Sequence, residues 1–313
     1  MNNRTLFILF ISGLLLFFGG RYWRSSRSVA FDPQILHVDT AQVDRISFLA
    51  SGDPSNAFEL QRNGQEWKAV KGTVAVLAKP QAVAAVLSPL ADLQANRIIS
   101  RDAGQYATYE IDDAKAGRLT AWAGNQKVAD LLMGGFRFDQ AAQSATTFIR
   151  KADADEVYEI DGFKNMGLKA RFDQFRDKRL VKNSADDLTG IEWSNAVGHK
   201  QAMTKEDGAW YYAGMEAVDS SAFSSYLDGL VNAQGSAFSD LTSVQGLLMI
   251  EKLTLQTTSV GNPVTITAYA AQDSLKPFLI ASTANPEAIF ISDSLGLYKK
   301  VFTDLRKFWP NGQ

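Results

Sequence analysis

The chain has 313 residues, 46% of them hydrophobic and 21% charged, a globular composition long enough for two domains. A net charge of −2 excludes the broad basic field that nucleic-acid binding requires, so no nucleic-acid partner is expected. With no cysteine, disulfides, thiolate metal centres and a lipidated amino-terminal cysteine are all excluded.

Residues 6–20 carry no charge. As a helix they cover about 22 Å at ~1.5 Å per residue, short of a hydrocarbon core of ~30 Å. Thr5, Tyr22 and Trp23 extend the run, and the last two form the aromatic pair suited to a membrane interface. An uncleaved anchor, a cleaved signal peptide and a buried core helix compete here. Ser28-Val29-Ala30 has the small residues of a cleavage site, but Arg21, Arg24 and Arg27 separate it from the apolar run. The sequence therefore favours an N-terminal transmembrane helix with a basic flank over residues 1–30. Counting positive charges, with Arg4 before the span and three arginines after it, places the large domain in the cytoplasm.

A first unit is expected over residues 31–171. Residues 31–40 read as an exposed connector broken by Pro33. Alternation over 43–49 puts Ile46 and Phe48 on one face of a half-buried strand. Gly52-Asp53-Pro54-Ser55 reads as a turn, and Asn63-Gly64 as a tight hairpin between strands at 58–62 and 66–70. Val83, Val86, Leu87, Leu90 and Ala91 form the apolar stripe of a helix, with Pro80 in its first turn and Pro89 expected to kink it. Strands at 118–123 and 127–133 turn at Gly124-Asn125, and 147–150 pairs with 157–160. Asp161 then caps a short helix through Phe163 and Met166.

Residues 172–188 form a joint, and 189–313 form a second unit that repeats the first. The hairpin at Asp207-Gly208 stands where Asn63-Gly64 stood. The stripe Phe223, Tyr226, Leu227, Leu230 and Val231 follows 140 positions after its counterpart, and 143 positions separate Trp67 from Trp210. Strands at 253–256, 264–268, 278–281 and 288–291 come next. A last helix with Tyr298, Val301, Phe302, Leu305 and Phe308 on one face closes the chain. The fold class expected is α+β, an N-terminal transmembrane helix followed by two tandem, duplicated units of mainly antiparallel sheet packed by helices.

No catalytic constellation is visible, and no catalytic, cofactor-binding or metal residue is assigned. His37 and His199 stand far apart without paired-ligand spacing, and read as surface or strand-end residues. No Gly-x-Ser-x-Gly elbow and no phosphate loop occurs. Asp112-Asp113 and Asp186-Asp187 read as solvated turn carboxylates rather than cation ligands. Arg176, Asp177, Lys178 and Arg179 read as a solvated helix end with local ion pairs. Trp67, Trp122, Trp193 and Trp210 could form a carbohydrate or peptide platform, but sheet-to-helix packing is the reading preferred for Trp67 and Trp210.

Several segments in order carry a resemblance. They are Val38-Asp39-Thr40-Ala41-Gln42-Val43-Asp44-Arg45-Ile46, Gly64-Gln65-Glu66-Trp67, Asn96-Arg97-Ile98-Ile99-Ser100, Leu131-Leu132-Met133-Gly134, Val157-Tyr158-Glu159-Ile160 and Phe175-Arg176-Asp177-Lys178-Arg179-Leu180. The sequence resembles a bacterial family catalogued as domain of unknown function 4340, best over residues 38–181. Where that family has Tyr-Gly-Leu, this chain has Tyr109-Glu110-Ile111. The resemblance implies a single-pass protein of the cytoplasmic membrane whose large domain faces the envelope, against the arginine count. It also implies a non-enzymatic accessory or scaffold role in an ABC-type export assembly, with the bilayer and a transporter membrane subunit as partners and no cofactor. The alternatives are an envelope binding module for a polypeptide or cell-wall ligand, and a hydrolase.

Overall fold

Strands are the commonest element of the structure, a computed structural model that describes residues 32–50, 53–213, 216–258 and 263–309. The predicted transmembrane helix lies outside these residues. Among the described residues, no helix is long and apolar enough to cross a membrane. The chain divides into two compact units. One runs up to Asn63 and continues over Gln81–Ala170; the other comprises Gly64–Pro80 and the chain from Arg171 on.

The first nine-stranded sheet has at one edge β5 (Val74–Leu77), then β4 (Glu66–Lys71), β3 (Asp53–Asn63) and β2 (Arg45–Ala50). It continues with β8 (Gly117–Ala123), β9 (Gln126–Asp139), β10 (Ser144–Lys151) and β11 (Val157–Asp161), and ends at β7 (Arg97–Ser100). The second sheet runs β15 (Glu216–Ala217), β14 (Ala209–Tyr212), β13 (Lys200–Glu206), β12 (Leu188–Asn195), β17 (Met249–Thr257), β18 (Val264–Ala270), β19 (Phe278–Ser282), β20 (Asn285–Ser292) and β16 (Ala237–Phe238). Both orders have the same form. Four strands meander back from an edge, four meander onward from the middle, and the strand that follows the helix pairs at the far edge. The expected mainly antiparallel, sheet-rich fold is observed.

Local chemistry explains most elements. Ile46 and Phe48 are buried on one face of β2, and Phe48 stacks on its cross-strand partner Phe58 at 4.5 Å. Gly64 (φ 65°) turns the β3–β4 hairpin, and Asp207 (50°) with Gly208 (82°) turns β13–β14. Helix α1 (Pro80–Ala91) buries Val83, Val86 and Leu90, and α2 (Ser220–Val231) buries Phe223, Leu227 and Leu230. Asp219 caps α2 by accepting from the Ser221 and Ala222 N–H groups.

Four expectations are corrected. Residues 31–40 are not an exposed connector: β1 (Gln34–Leu36) pairs with β6 (Leu93–Gln94), and Ile35 and Val38 are buried. Asp53-Pro54-Ser55 opens β3 rather than forming a turn, with Asp53 accepting from the Ser55 N–H. After β11, Asp161 does accept from the Lys164 N–H, but only a 3₁₀ turn follows, at Met166–Lys169. The last helix is two pieces, α3 (Leu297–Val301) and a 3₁₀ turn at Leu305–Phe308. Asp304 starts the second piece by accepting from the Arg306 N–H, yet Val301, Leu305 and Phe308 all stay buried.

Pro89 does not end α1. It sits in the last turn, and the only intrahelical bond it removes is the one to the Ala85 carbonyl, four residues back. Gly167 packs on that carbonyl: a Cβ at Gly167 would collide with the Ala85 oxygen.

Candidate functional site

Two of the segments that carry the resemblance, 96–100 and 157–160, pair with each other. Arg97 on β7 and Glu159 on β11 are register partners, joined by bonds of 3.2 Å from Nε and 2.9 Å from Nη2. Gly134 lies so close to the Tyr109 carbonyl oxygen that a side chain there would strike it. Its own carbonyl accepts from Lys169 Nζ at 2.6 Å, and burial lowers the Lys169 pKa. Glu110 ends a 3₁₀ turn (Ala103–Tyr109) in the left-handed region, at φ 56°, ψ 34°. Glycine adopts this conformation at less cost than a residue with a side chain.

The reading of 176–179 as a solvated end fails at Arg176, which is buried. Its guanidinium lies 3.6 Å from the centre of the Phe238 ring and 5.6 Å from that of Phe172. Nη2 donates to the Glu287 carbonyl at 3.4 Å and Nη1 lies 3.6 Å from Asp173. Burial lowers its pKa, against the pull of Asp173. Arg179 keeps the expected local pair with Asp177 at 3.0 Å. The segment is strapped down by its backbone: Asn285 Nδ2 donates to the Asp177 and Arg179 carbonyls at 2.9 Å each, and the Gly235 N–H donates to the Lys178 carbonyl.

Of the other singled-out residues, Trp193 and His199 line one cleft, while the histidines and aspartates form no common site among the described residues. His37 and His199 are exposed, His199 in the turn between β12 and β13. Asp112 accepts from the Ala114 and Lys115 N–H groups, while Asp113 pairs at 3.1 Å with buried Arg150. Asp187 accepts from the Ser184 N–H and hydroxyl, and these bonds lower its pKa. No group of three metal-ligating side chains occurs among the described residues. Trp67 is buried, and half-buried Trp210 packs edge-on against Phe223 at 5.1 Å. Trp122 lies under the Arg45 guanidinium at 4.2 Å.

A cleft of about 590 Å³ lies in the second unit, between β12, β13 and the C-terminal turn. Trp193, Tyr212 and Phe302 give it aromatic walls, and His199, Lys200, Glu251 and Arg306 reach its surface. Glu251 is held from both sides: Trp193 Nε1 donates to Oε2 at 2.8 Å and the Tyr298 hydroxyl to Oε1 at 2.7 Å. Burial, and then Glu251, raise the Tyr298 pKa, so its proton stays in place. Phe278 stacks flat on Tyr298 at 3.6 Å, and Tyr212 on Trp309 at 5.7 Å. Asp304 is paired with Arg306 at 2.6 Å. Each carboxylate already has its donors, so the cleft offers aromatic faces and cationic groups for binding. Trp193, His199 and Phe302 are the lining residues that the sequence singled out, each for a separate reason. Glu251 and Tyr298 are 47 residues apart and carry no motif.

A family model described as "Domain of unknown function (DUF4340)" matches residues 67–247, more than half of the chain. No curated protein and no solved structure matches it.

Proposed function

This chain belongs to the DUF4340 family, and from that membership we infer a non-enzymatic, membrane-tethered accessory or scaffold protein of an ABC-type export assembly. One observation carries the reading. Residues of the segments that carry the resemblance are engaged in internal contacts: Arg97 with Glu159, Gly134 with the Tyr109 backbone, Arg176 with Phe172 and Phe238. Side chains engaged in this way hold a shape, where an enzyme of the family would be expected to keep some of them free to face a substrate. The uncharged residues 6–20 supply the tether, and the large domain faces the envelope.

The two nine-stranded sheets, each with its helix, descend from one duplicated ancestor. Support comes from the shared strand order and from equivalent bonds: the Ala78 N–H donates to Trp67 O, as the Val218 N–H does to Trp210 O. A second reading, an envelope module that binds a polypeptide or cell-wall ligand, is favoured by the aromatic cleft around Glu251.

The test is purification of the tagged full chain from membranes, with identification of the chains that accompany it. A stoichiometric transporter membrane subunit is the expected result. Recovery of the chain alone, together with loss of function in a His199→Ala or Asp112→Asn variant of normal abundance, would sink the scaffold reading.

A further inference from the structure

The first unit exposes a cluster of large apolar side chains. Phe136 (48% exposed) and Phe138 (52%) project from β9, and Phe163 (48%) and Met166 (60%) from the loop after β11. The rings are assembled, not scattered. Phe163 meets Phe136 and Phe138 edge-on at 6.3 and 6.0 Å. The Phe136 ring lies over Gly162, where a Cβ would come within 2.9 Å of Cε2. Three exposed phenylalanines, with Phe163 in contact with the other two, mark an interaction surface.

The position of the cluster identifies what covers it. The backbone of Pro33, at the start of the described chain, accepts from the Ala95 N–H, and the next residue, Asn96, donates to the Glu159 carbonyl. Phe163 follows four residues after Glu159. From β7 to β9 is three strand spacings, about 14 Å at ~4.8 Å each. The amino-terminal segment therefore joins this unit at the same end of the same strands as the cluster. Only residues 21–31 separate it from the apolar run, a reach of at most about 40 Å.

We propose that Phe136, Phe138, Phe163 and Met166 seat the first unit on the lipid bilayer, in the interface between headgroups and acyl chains. The proposal rests on the tether reading. Four side chains are too few for a free-standing protein interface, which needs about 800 Å² per partner. Once a tether holds the unit at the surface, their insertion becomes intramolecular and a small apolar contact suffices. Lys164 is exposed beside Phe163, and Asp139 and Asp161 are engaged by the backbone N–H groups of Ala141, Ala142 and Lys164, whereas Arg137 faces the other side of β9, over the Phe148 ring at 4.8 Å.

The absence of native cysteine allows a direct test. The full chain is reconstituted in phosphatidylethanolamine–phosphatidylglycerol vesicles, with an environment-sensitive fluorophore at Met166→Cys or, as a control, at Asn125→Cys. Asn125 lies in the turn at the opposite end of β9, about 35 Å away at ~3.3 Å per residue. Nitroxide placed high on the lipid chains should quench the label at 166 several-fold more than that at 125. Adding Phe138→Ser and Phe163→Ser should reduce the quenching at 166 to the control level. Equal quenching at both sites in floating vesicles overturns the proposal and leaves the tether standing. Self-quenching at 166 that follows protein density, without nitroxide quenching, assigns the cluster to a second copy and also overturns it. A chain that does not float with the vesicles sinks the tether reading and the proposal together.

Discussion

Gly167 has no space for a methyl group, because the Ala85 carbonyl occupies it. Gly167→Ala should therefore destabilise the first unit by about 1–3 kcal/mol or more, since backbone and not a flexible side chain must move. Gly229 in α2 is the opposite case, with open space around it, and Gly229→Ala should stabilise by about 0.5–1 kcal/mol. Denaturant unfolding of both variants checks the pair. Glu110 adopts φ 56°, and Glu110→Gly should recover up to about 1 kcal/mol of backbone strain, read in the same assay. Acid sensitivity has a local source at Asp130. Burial alone would raise its pKa, but bonds from Arg118 and Lys127 outweigh burial and lower it. Its folded value thus lies below the unfolded value of about 3.9, so its stabilising effect is present above that pH and lost as pH falls through the folded value. Asp130→Asn should flatten the fall in stability below about pH 4, measured by urea unfolding across a pH series.

Among the elements, the hairpins and the two long helices were legible in the sequence. Each has an alternating or 3.6-residue apolar pattern and a turn residue suited to its φ, as at Gly64, Gly124 and Gly208. Elements defined by pairing alone were not. Strand β1 has three residues and forms because β6 meets it, and the last helix breaks where Asp304 restarts the chain. Trp67 and Trp210 make the same backbone bond in equivalent hairpins but differ in burial. Trp67→Ala should cost on the order of 3–5 kcal/mol, and Trp210→Ala less, because half-buried Trp210 leaves a smaller cavity. Chemical denaturation of each variant separates the two values.

For the whole molecule, the full chain should stay in membranes after a carbonate wash, because residues 6–20 are uncharged and Tyr22-Trp23 follows. A protease added outside spheroplasts should digest the large domain; protection there would favour the arginine count over the family inference. His37→Ala, His199→Ala, Asp112→Asn and Asp186→Asn should leave abundance and export nearly unchanged in the strain that carries them. None of these side chains joins the others in one site.

By itself, the sequence determined the sheet-rich architecture, the places of both long helices and the family, because these depend on apolar periodicity, turn chemistry and ordered motifs along the chain. Only the tertiary structure decided that Arg176 is buried against Phe172 and Phe238, and that Glu251 is gripped by Trp193 and Tyr298. It alone assembled Phe136, Phe138 and Phe163 into one surface cluster. The physical reason is sequence separation. Burial of a cation, satisfaction of a carboxylate and contact between exposed rings are properties of neighbours in space, and pairing in a sheet brings together residues that no local pattern relates.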